Sequence, residues 1–523
     1  MKKDLSLIAK GAGFYVVGFA VSKALAYLYR VLIARTLGPA EYGIFSIGVG
    51  IMGIALVFAA LGLYQGIMHF VSVYGSTGRK ENARGTILFS LKLQLLTSAI
   101  IAAILFFSAD FLALTYFREA ALGQVIRVFS LTLPCLVLTS SLMIVTVAFK
   151  KLEYKILVRN LLENLAKISF TGILLFSGFQ LFGATVGLAL SSVFAFFFSL
   201  YIVQKKVFPL FGKGLKSRSN ARELLSYSWP LLAVGFFTIL MASIDNVMLG
   251  VLAQAYDVGI YNVARPTANL LVMAPFAFGS LFLPIITGLY AQKKIEELKK
   301  MFKIVTRWMF ALTFPCLLFT FLFSEEILSV MFGSEYALGA ASLIILSAGV
   351  SMNSFLGPVR SILESIGKTR LIFVNTVISG FLNVALNLLL IPFFAQSGNG
   401  IIGAALATAL SFILWELLAL AEVFLLTGIH PYNKAFSEPT IAAIASIAVY
   451  FVIKLNIPYI PSFPFPLDFL ILVALGTSFL TVYALLFILL RGLKPEDKDI
   501  LKAVEKKAGL RIVFLRKLVK KFS

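Results

Sequence analysis

Charge is what this chain has least of. Only 13% of its 523 residues are Asp, Glu, Lys or Arg, against 60% hydrophobic, whereas soluble domains carry about 25% charged residues. That much apolar surface cannot be hidden in a soluble core, so a water-soluble fold is excluded. Cysteine is nearly absent. Cys135 and Cys316 each follow a proline inside an apolar run, which excludes a disulfide framework and a thiolate metal site. The two histidines, His69 and His430, lie far apart with no second ligand at metal spacing and no nucleophile beside them, so neither a metal centre nor hydrolytic chemistry is indicated. No G-x-x-x-x-G-K-[ST] loop occurs, which removes direct use of a nucleoside triphosphate. No cofactor and no enzymatic activity are expected.

What is present is a series of apolar runs. Crossing about 30 Å of hydrocarbon takes about 20 helical residues, and fourteen runs qualify, among them 5–29, 44–68, 160–178, 260–290, 439–457 and 468–490. The first follows Lys2 and Lys3 but is too long, and too poor in a cleavage site, for a removable signal. An even number of crossings puts both termini on one side. Most of the Lys and Arg falls there, which makes that side the cytoplasm of a cell-membrane protein. The net charge of +22 is therefore mostly topology, with some attraction to anionic membrane lipid. Nucleic acid is not an expected partner, because no basic folded domain stands outside the membrane.

The fold class is thus an all-α polytopic membrane protein of 14 transmembrane helices, and an internal repeat organises it. "PAEYGIFSI" from Pro39 and "AYDVGIYNV" from Ala255 share an acid, a spacer, Gly, Ile and an aromatic ring, with Gly43 and Gly259 216 positions apart. At the same offset "VGLALSSVFAF" from Val186 lies over "IGAALATALSF" from Ile402, and Asn160 falls one residue off it over Asn375. Helices 1–6 therefore repeat as helices 7–12, in parallel, and two helices are added. The implied domains are a lobe over 1–203, a basic linker over 204–223, a second lobe over 224–427, helices 13–14 over 439–490 and a basic amphipathic tail over 491–523 on the cytoplasmic membrane surface. Both motif glycines are expected to permit a tight outer turn, with the aromatic as an interfacial anchor and Glu41 and Asp257 capping the helix that follows.

Charge inside a span costs about 2.5–3.5 kcal/mol per group on insertion scales, so it faces protein or a wet cavity. Glu163 and Lys167, four apart, are expected to pair. Lys10, Arg127 and Glu422 lie near span ends, within snorkelling reach of the interface, as does Lys92. Lys23, Tyr27 and Arg30 form one stripe on helix 1. Asp245 and Asn246 on helix 7, with Asn262, Arg265 and Asn269 on helix 8, form a second at the equivalent depth. If the two faces meet, they line a cavity with three cations and one carboxylate, an anion site suited to phosphate. Asp245 with Arg265 has two readings, an interhelical salt bridge or a substrate contact. Glu416, deep on helix 12 beside Trp415, reads as a neutral acid, a hydrogen-bond partner or a coupling site; with Asp245 it is a candidate for ion coupling.

"LYRVLIARTLGPAEYGIFSI" from Leu28 and "DNVMLGVLAQAYDVGIYNVARP" from Asp245 resemble the polysaccharide-transporter branch of the multidrug/oligosaccharidyl-lipid/polysaccharide exporter superfamily, over nearly the whole chain. The resemblance implies a flippase that moves a polyprenyl phosphate- or pyrophosphate-linked oligosaccharide to the outer leaflet by alternating access of two lobes, with helices 1, 2, 7 and 8 lining a cationic cavity. Carried over by position, Lys23 and Arg30 match the cations of helix 1 and Arg265 that of helix 8. Unlike the related lipid II flippases, this chain has no Arg or Lys on helix 2, from Ile44 to Met68, which favours a glycolipid other than the peptidoglycan precursor. Na⁺ or H⁺ coupling and polysaccharide assembly enzymes as partners stay open. The competing readings are a cation-coupled exporter of drugs or metabolites from the multidrug branch, a membrane-embedded glycosyltransferase and a scaffold for polysaccharide assembly.

Overall fold

The computed structural model describes residues 2–211, 220–432, 434–456 and 467–497. The middle of the basic linker and the basic tail from Lys498 onward lie outside the described residues. Among the described residues every regular element is helical, and ten helices are long and apolar enough to cross a membrane. One of them, Val21–Ala60, holds parts of two expected runs. The expected runs at 160–178 and 260–290 are each interrupted, the first entered through a π-helical turn at Ile156–Leu162 and the second crossed by a 3₁₀ turn at Asn269–Val272.

Among the described residues, contacts gather those between Phe14 and Asn262 into one compact unit and those from Val263 on, with the first turns before Phe14, into another. The first holds α1 (Lys2–Ala60) from Phe14 on, α2 (Leu63–Ser76), α3 (Lys80–Phe111), α4 (Ala120–Ala148), α5 (Leu152–Lys155), α6 (Glu163–Phe176), α7 (Gln180–Ile202), α8 (Ala221–Leu252) and the start of α9 (Ala255–Ala268). Its core gathers Ile67, Val71, Ile87, Leu142, Val158 and Ile202 around α4. Within α1 the helix breaks at Gly38, φ 71 and ψ 173, and restarts at Pro39, a residue pre-set for a first helical turn. A second break, at Leu61 and Gly62 with φ 52 and 67, separates α1 from α2 and bares carbonyls at membrane depth. They are covered by α3: Thr97 Oγ1 donates to Ala59 O at 2.8 Å and Gln94 Nε2 to Ala60 O at 3.2 Å, while Ser141 steadies Gln94 at 2.6 Å. Irregular backbone at this depth persists only when protein satisfies it.

α8 packs into the first unit because the second half of α1 and α2 present glycines to it. A Cβ on Gly50 would stand 3.3 Å from Val247, and one on Gly62 2.4 Å from Ser228 O.

The second unit continues with α10 (Met273–Ala291), α11 (Ile295–Leu322), α12 (Ser324–Phe332), α13 (Ala340–Leu356), α14 (Val359–Ser365), α15 (Thr369–Ala395), α16 (Gly400–Thr427), α17 (Ser437–Asn456) and α18 (Leu467–Leu489). α16 is sheathed by α13, α14 and α15, and Phe302, Val305, Met309, Ile362 and Val423 meet in its core. The two added helices, α17 and α18, pack on α11 through Ala311, Ala442, Tyr483 and Phe487. Pro315 in α11 has no N–H for the carbonyl four residues earlier. That carbonyl, Ala311 O, receives Tyr483 Oη from α18 at 2.7 Å. Below this point Asp497, fully buried, ion-pairs Arg307 and accepts Trp308 Nε1 at 2.8 Å and the Lys494 backbone N–H at 2.7 Å. The segment after α18 is thereby fastened to the base of α11.

Candidate functional site

The repeated motif sits where the sequence puts it, at paired turns, but its glycines work differently. The break in the first copy is at Gly38 and Pro39, and Gly43 is already inside the helix. A Cβ on Gly43 would stand 1.7 Å from Ala255 O and one on Gly259 1.9 Å from Pro39 O. Each glycine exists to let the backbone of the other's turn approach. The motif aromatics are not interfacial anchors either: Phe45 packs edge-on against Phe129, and Tyr261 is fully buried. Asp257 is in the first turn of α9, where it accepts the Gln254 backbone N–H, as a cap would; burial still pushes its carboxyl above the usual carboxylate range.

The helix 1 stripe is built around Arg30. Lys23 is exposed and Tyr27 and Arg30 are half-buried. Arg30 donates to the hydroxyl of Tyr42, the motif residue beside Gly43, which also bonds Ser46. The neighbouring Tyr29 is buried and shares a 3.4 Å hydrogen bond with Thr171 of α6. No carboxylate pairs with Arg30 among the described residues. A half-buried guanidinium held by a neutral hydroxyl keeps most of its charge for an outside anion.

The helix 7 stripe is drawn together with the start of α9. Asp245, fully buried, accepts Tyr261 Oη at 2.9 Å, and one residue on, Asn246 Nδ2 donates to Asn262 Oδ1 at 3.1 Å. Asn262 Nδ2 in turn donates to Val258 O. Asp245, Asn246 and Asn262 therefore pin α8 to α9. Arg265 and Asn269 belong to the other compact unit, Asn269 exposed in the 3₁₀ turn that ends α9.

The remaining intramembrane charges are mostly neutralised locally. Glu163, 3% exposed, takes Lys167 at 2.8 Å as the spacing predicts and also Arg159 at 3.1 Å. Arg127 pairs with Asp110 across α3 and α4. Glu422 accepts Asn375 Nδ2 at 2.8 Å, giving the third repeat anchor a role. Glu416 ion-pairs Arg360 at 2.8 Å, a residue the sequence did not single out because it lies at the end of a span, past a break at Gly357 and Pro358 that no periodicity reveals. Among the described residues no group of three His, Cys, Asp or Glu could hold a metal ion.

The model of the family described as polysaccharide biosynthesis protein matches residues 8–289, and that of the MatE family matches residues 230–389. An uncharacterized membrane protein of Methanocaldococcus jannaschii is 26% identical over 422 residues, 78% of this chain and 82% of that one. A probable low-salt glycan biosynthesis flippase of Haloferax volcanii is 24% identical over 390 residues, 74% of this chain and 77% of that one. Among solved structures, a lipid II flippase in an inward closed conformation superposes with a TM-score of 0.68 at 14% identity, covering 92% of this chain and 98% of its own. That likeness shows the fold, a polytopic bundle of the same kind.

Proposed function

Because the chain belongs to the polysaccharide biosynthesis protein family, we propose that it is a flippase, a transporter and not a catalyst, for a polyprenyl phosphate- or pyrophosphate-linked oligosaccharide, carried from the cytoplasmic to the outer leaflet of the cell membrane with both termini cytoplasmic. The observation that carries this reading is Arg30, half-buried and, among the described residues, compensated by a neutral hydroxyl and no carboxylate. Such a group suits a phosphate that must leave water, since an uncompensated polar headgroup cannot enter hydrocarbon. Lys23, Tyr27, Arg30, Asn246 and Asn262 of the first compact unit, and Arg265 and Asn269 of the second, are the residues assigned to the substrate. Asp245 and Glu416 are the carboxylates through which Na⁺ or H⁺ would be coupled. Moving each negative charge outward, away from a negative interior, gains about 2.3 kcal/mol per 100 mV, so the membrane potential favours export by itself. Enzymes of polysaccharide assembly are the natural partners on either side.

The MatE match over 230–389 favours a second reading, cation-coupled export of drugs or metabolites. One experiment separates the two. A fluorescent polyprenyl-pyrophosphate oligosaccharide is reconstituted with wild type and with Lys23→Ala, Arg30→Ala and Arg265→Ala in proteoliposomes at matched incorporation. Flipping by wild type that collapses in the variants supports the flippase and its site. Flipping indifferent to all three removes the site; export of organic cations with no flipping transfers the protein to the second reading.

A further inference from the structure

Glu416 on α16 is 3% exposed, and both of its contacts fall on one oxygen. Oε1 accepts Asn353 Nδ2 at 2.9 Å and meets Arg360 at 2.8 Å. Oε2 is buried with no hydrogen-bond partner among the described residues. The two donors stand on opposite sides of a helix break, Asn353 on α13 and Arg360 on α14, with Gly357 at φ 79 between them. The Arg360 guanidinium lies 4.2 Å from the centre of the Trp415 ring, and its side chain is 36% exposed. The carboxylate is sealed, whereas the arginine paired to it reaches open space.

The elements packed around Glu416 hold little other charge. α13 has no ionisable acid or base, and α15 has Arg370 alone, in its first turn. α14 adds Glu364, and α16 adds Glu422, which is engaged by Asn375. Arg360 is thus the cation in contact with Glu416. A buried carboxylate that loses its cation is left an uncompensated charge in low dielectric, which is costly. Guanidinium is also a ready receptor for phosphate.

We propose that Arg360 and Glu416 form a proton-linked anion site, in which Arg360 exchanges its buried carboxylate for a phosphate of the lipid-linked substrate while Glu416 takes up a proton. The inference rests on the flippase reading above and adds to it the link between proton and substrate. The proton comes from water and settles on Oε2, the oxygen with no other partner; Oε1 keeps Asn353. No covalent bond to substrate forms, and the proton departs when Arg360 returns. Linkage is reciprocal, so protonation strengthens anion binding as much as the anion favours protonation.

The test uses the full chain in nanodiscs of neutral lipid, in weak buffer with a pH-indicating dye. The probe is a polyprenyl pyrophosphate capped by a neutral sugar, whose phosphates do not titrate near neutrality. Wild type is expected to take up about one proton per bound lipid and to bind more tightly at lower pH. Glu416→Gln, permanently neutral, is expected to bind tightly at every pH and take up none; Arg360→Gln is expected to bind weakly with no uptake. Thermal unfolding confirms that each variant is folded. Wild-type binding without proton uptake, or weak binding by Glu416→Gln at every pH, overturns the inference and leaves the flippase reading standing. No binding of the lipid pyrophosphate by wild type overturns both.

Discussion

Gly43 and Gly259 each exclude a side chain on the other's behalf: a Cβ on the first would stand 1.7 Å from Ala255 O and one on the second 1.9 Å from Pro39 O. Backbone cannot yield to such a contact as a flexible side chain could. Gly43→Ala and Gly259→Ala are each expected to lower stability by about 1–3 kcal/mol, the usual range for overpacking. Because both substitutions push the same two turns apart, the double variant should lose less than the sum of the singles. Denaturant unfolding in detergent, arranged as a double-mutant cycle, checks this; strict additivity would show that the turns do not share one contact.

Tyr42 positions Arg30 through its hydroxyl. Tyr42→Phe keeps the ring and removes the acceptor, so the guanidinium loses its fixed aim. A flipping rate reduced roughly tenfold, about 1.4 kcal/mol of transition-state stabilisation, is the expected result in proteoliposomes, with little change in melting temperature. An unchanged rate would detach Arg30 from substrate handling.

Tyr483→Phe strips Ala311 O of its donor beside Pro315. A buried carbonyl left unpaired costs about 1–3 kcal/mol. The loss should appear as a lower melting temperature with unaltered helical content by circular dichroism.

Asp497→Asn leaves Arg307 buried with half a partner. Breaking a buried pair from one side costs about 3–5 kcal/mol. The segment from Arg491 to Asp497 should then become protease-sensitive, because Trp308 and the Lys494 N–H depend on the same carboxylate. Limited proteolysis of the variant beside wild type measures it; equal digestion would sink the idea of a fastened segment.

The sequence made the membrane helices and the 216-residue repeat plain, since both depend on residue type and spacing alone. It also gave the Glu163 and Lys167 pair, which one helical turn dictates. It could not assign Gly43 and Gly259 correctly, because close approach is a property of two turns 216 positions apart, and tight-turn use of glycine was the nearer local explanation. Arg360 and Asp497 escaped for the same reason: their partners, Glu416 and Arg307, are distant in sequence, and a charge at a span end looks like one that reaches for water. The breaks at Leu61 and within 260–290 carry no proline or glycine signature strong enough to distinguish them from the many glycines and prolines inside unbroken runs. Of the expected site, spacing marks out the stripes as a pattern, but it does not reveal that Asp245 and Asn246 are committed to Tyr261 and Asn262.

The contact of Gly43 with Ala255 and of Gly259 with Pro39 is reciprocal, which is the mark of an isologous interface, where the same patch meets itself about a two-fold axis. A lone half-length chain carrying one copy of this motif would present the same glycine and the same turn to a second copy of itself. At this point, inside the first compact unit, two like turns meet as like surfaces. Any change that suits one turn alone breaks the symmetry on which the other depends.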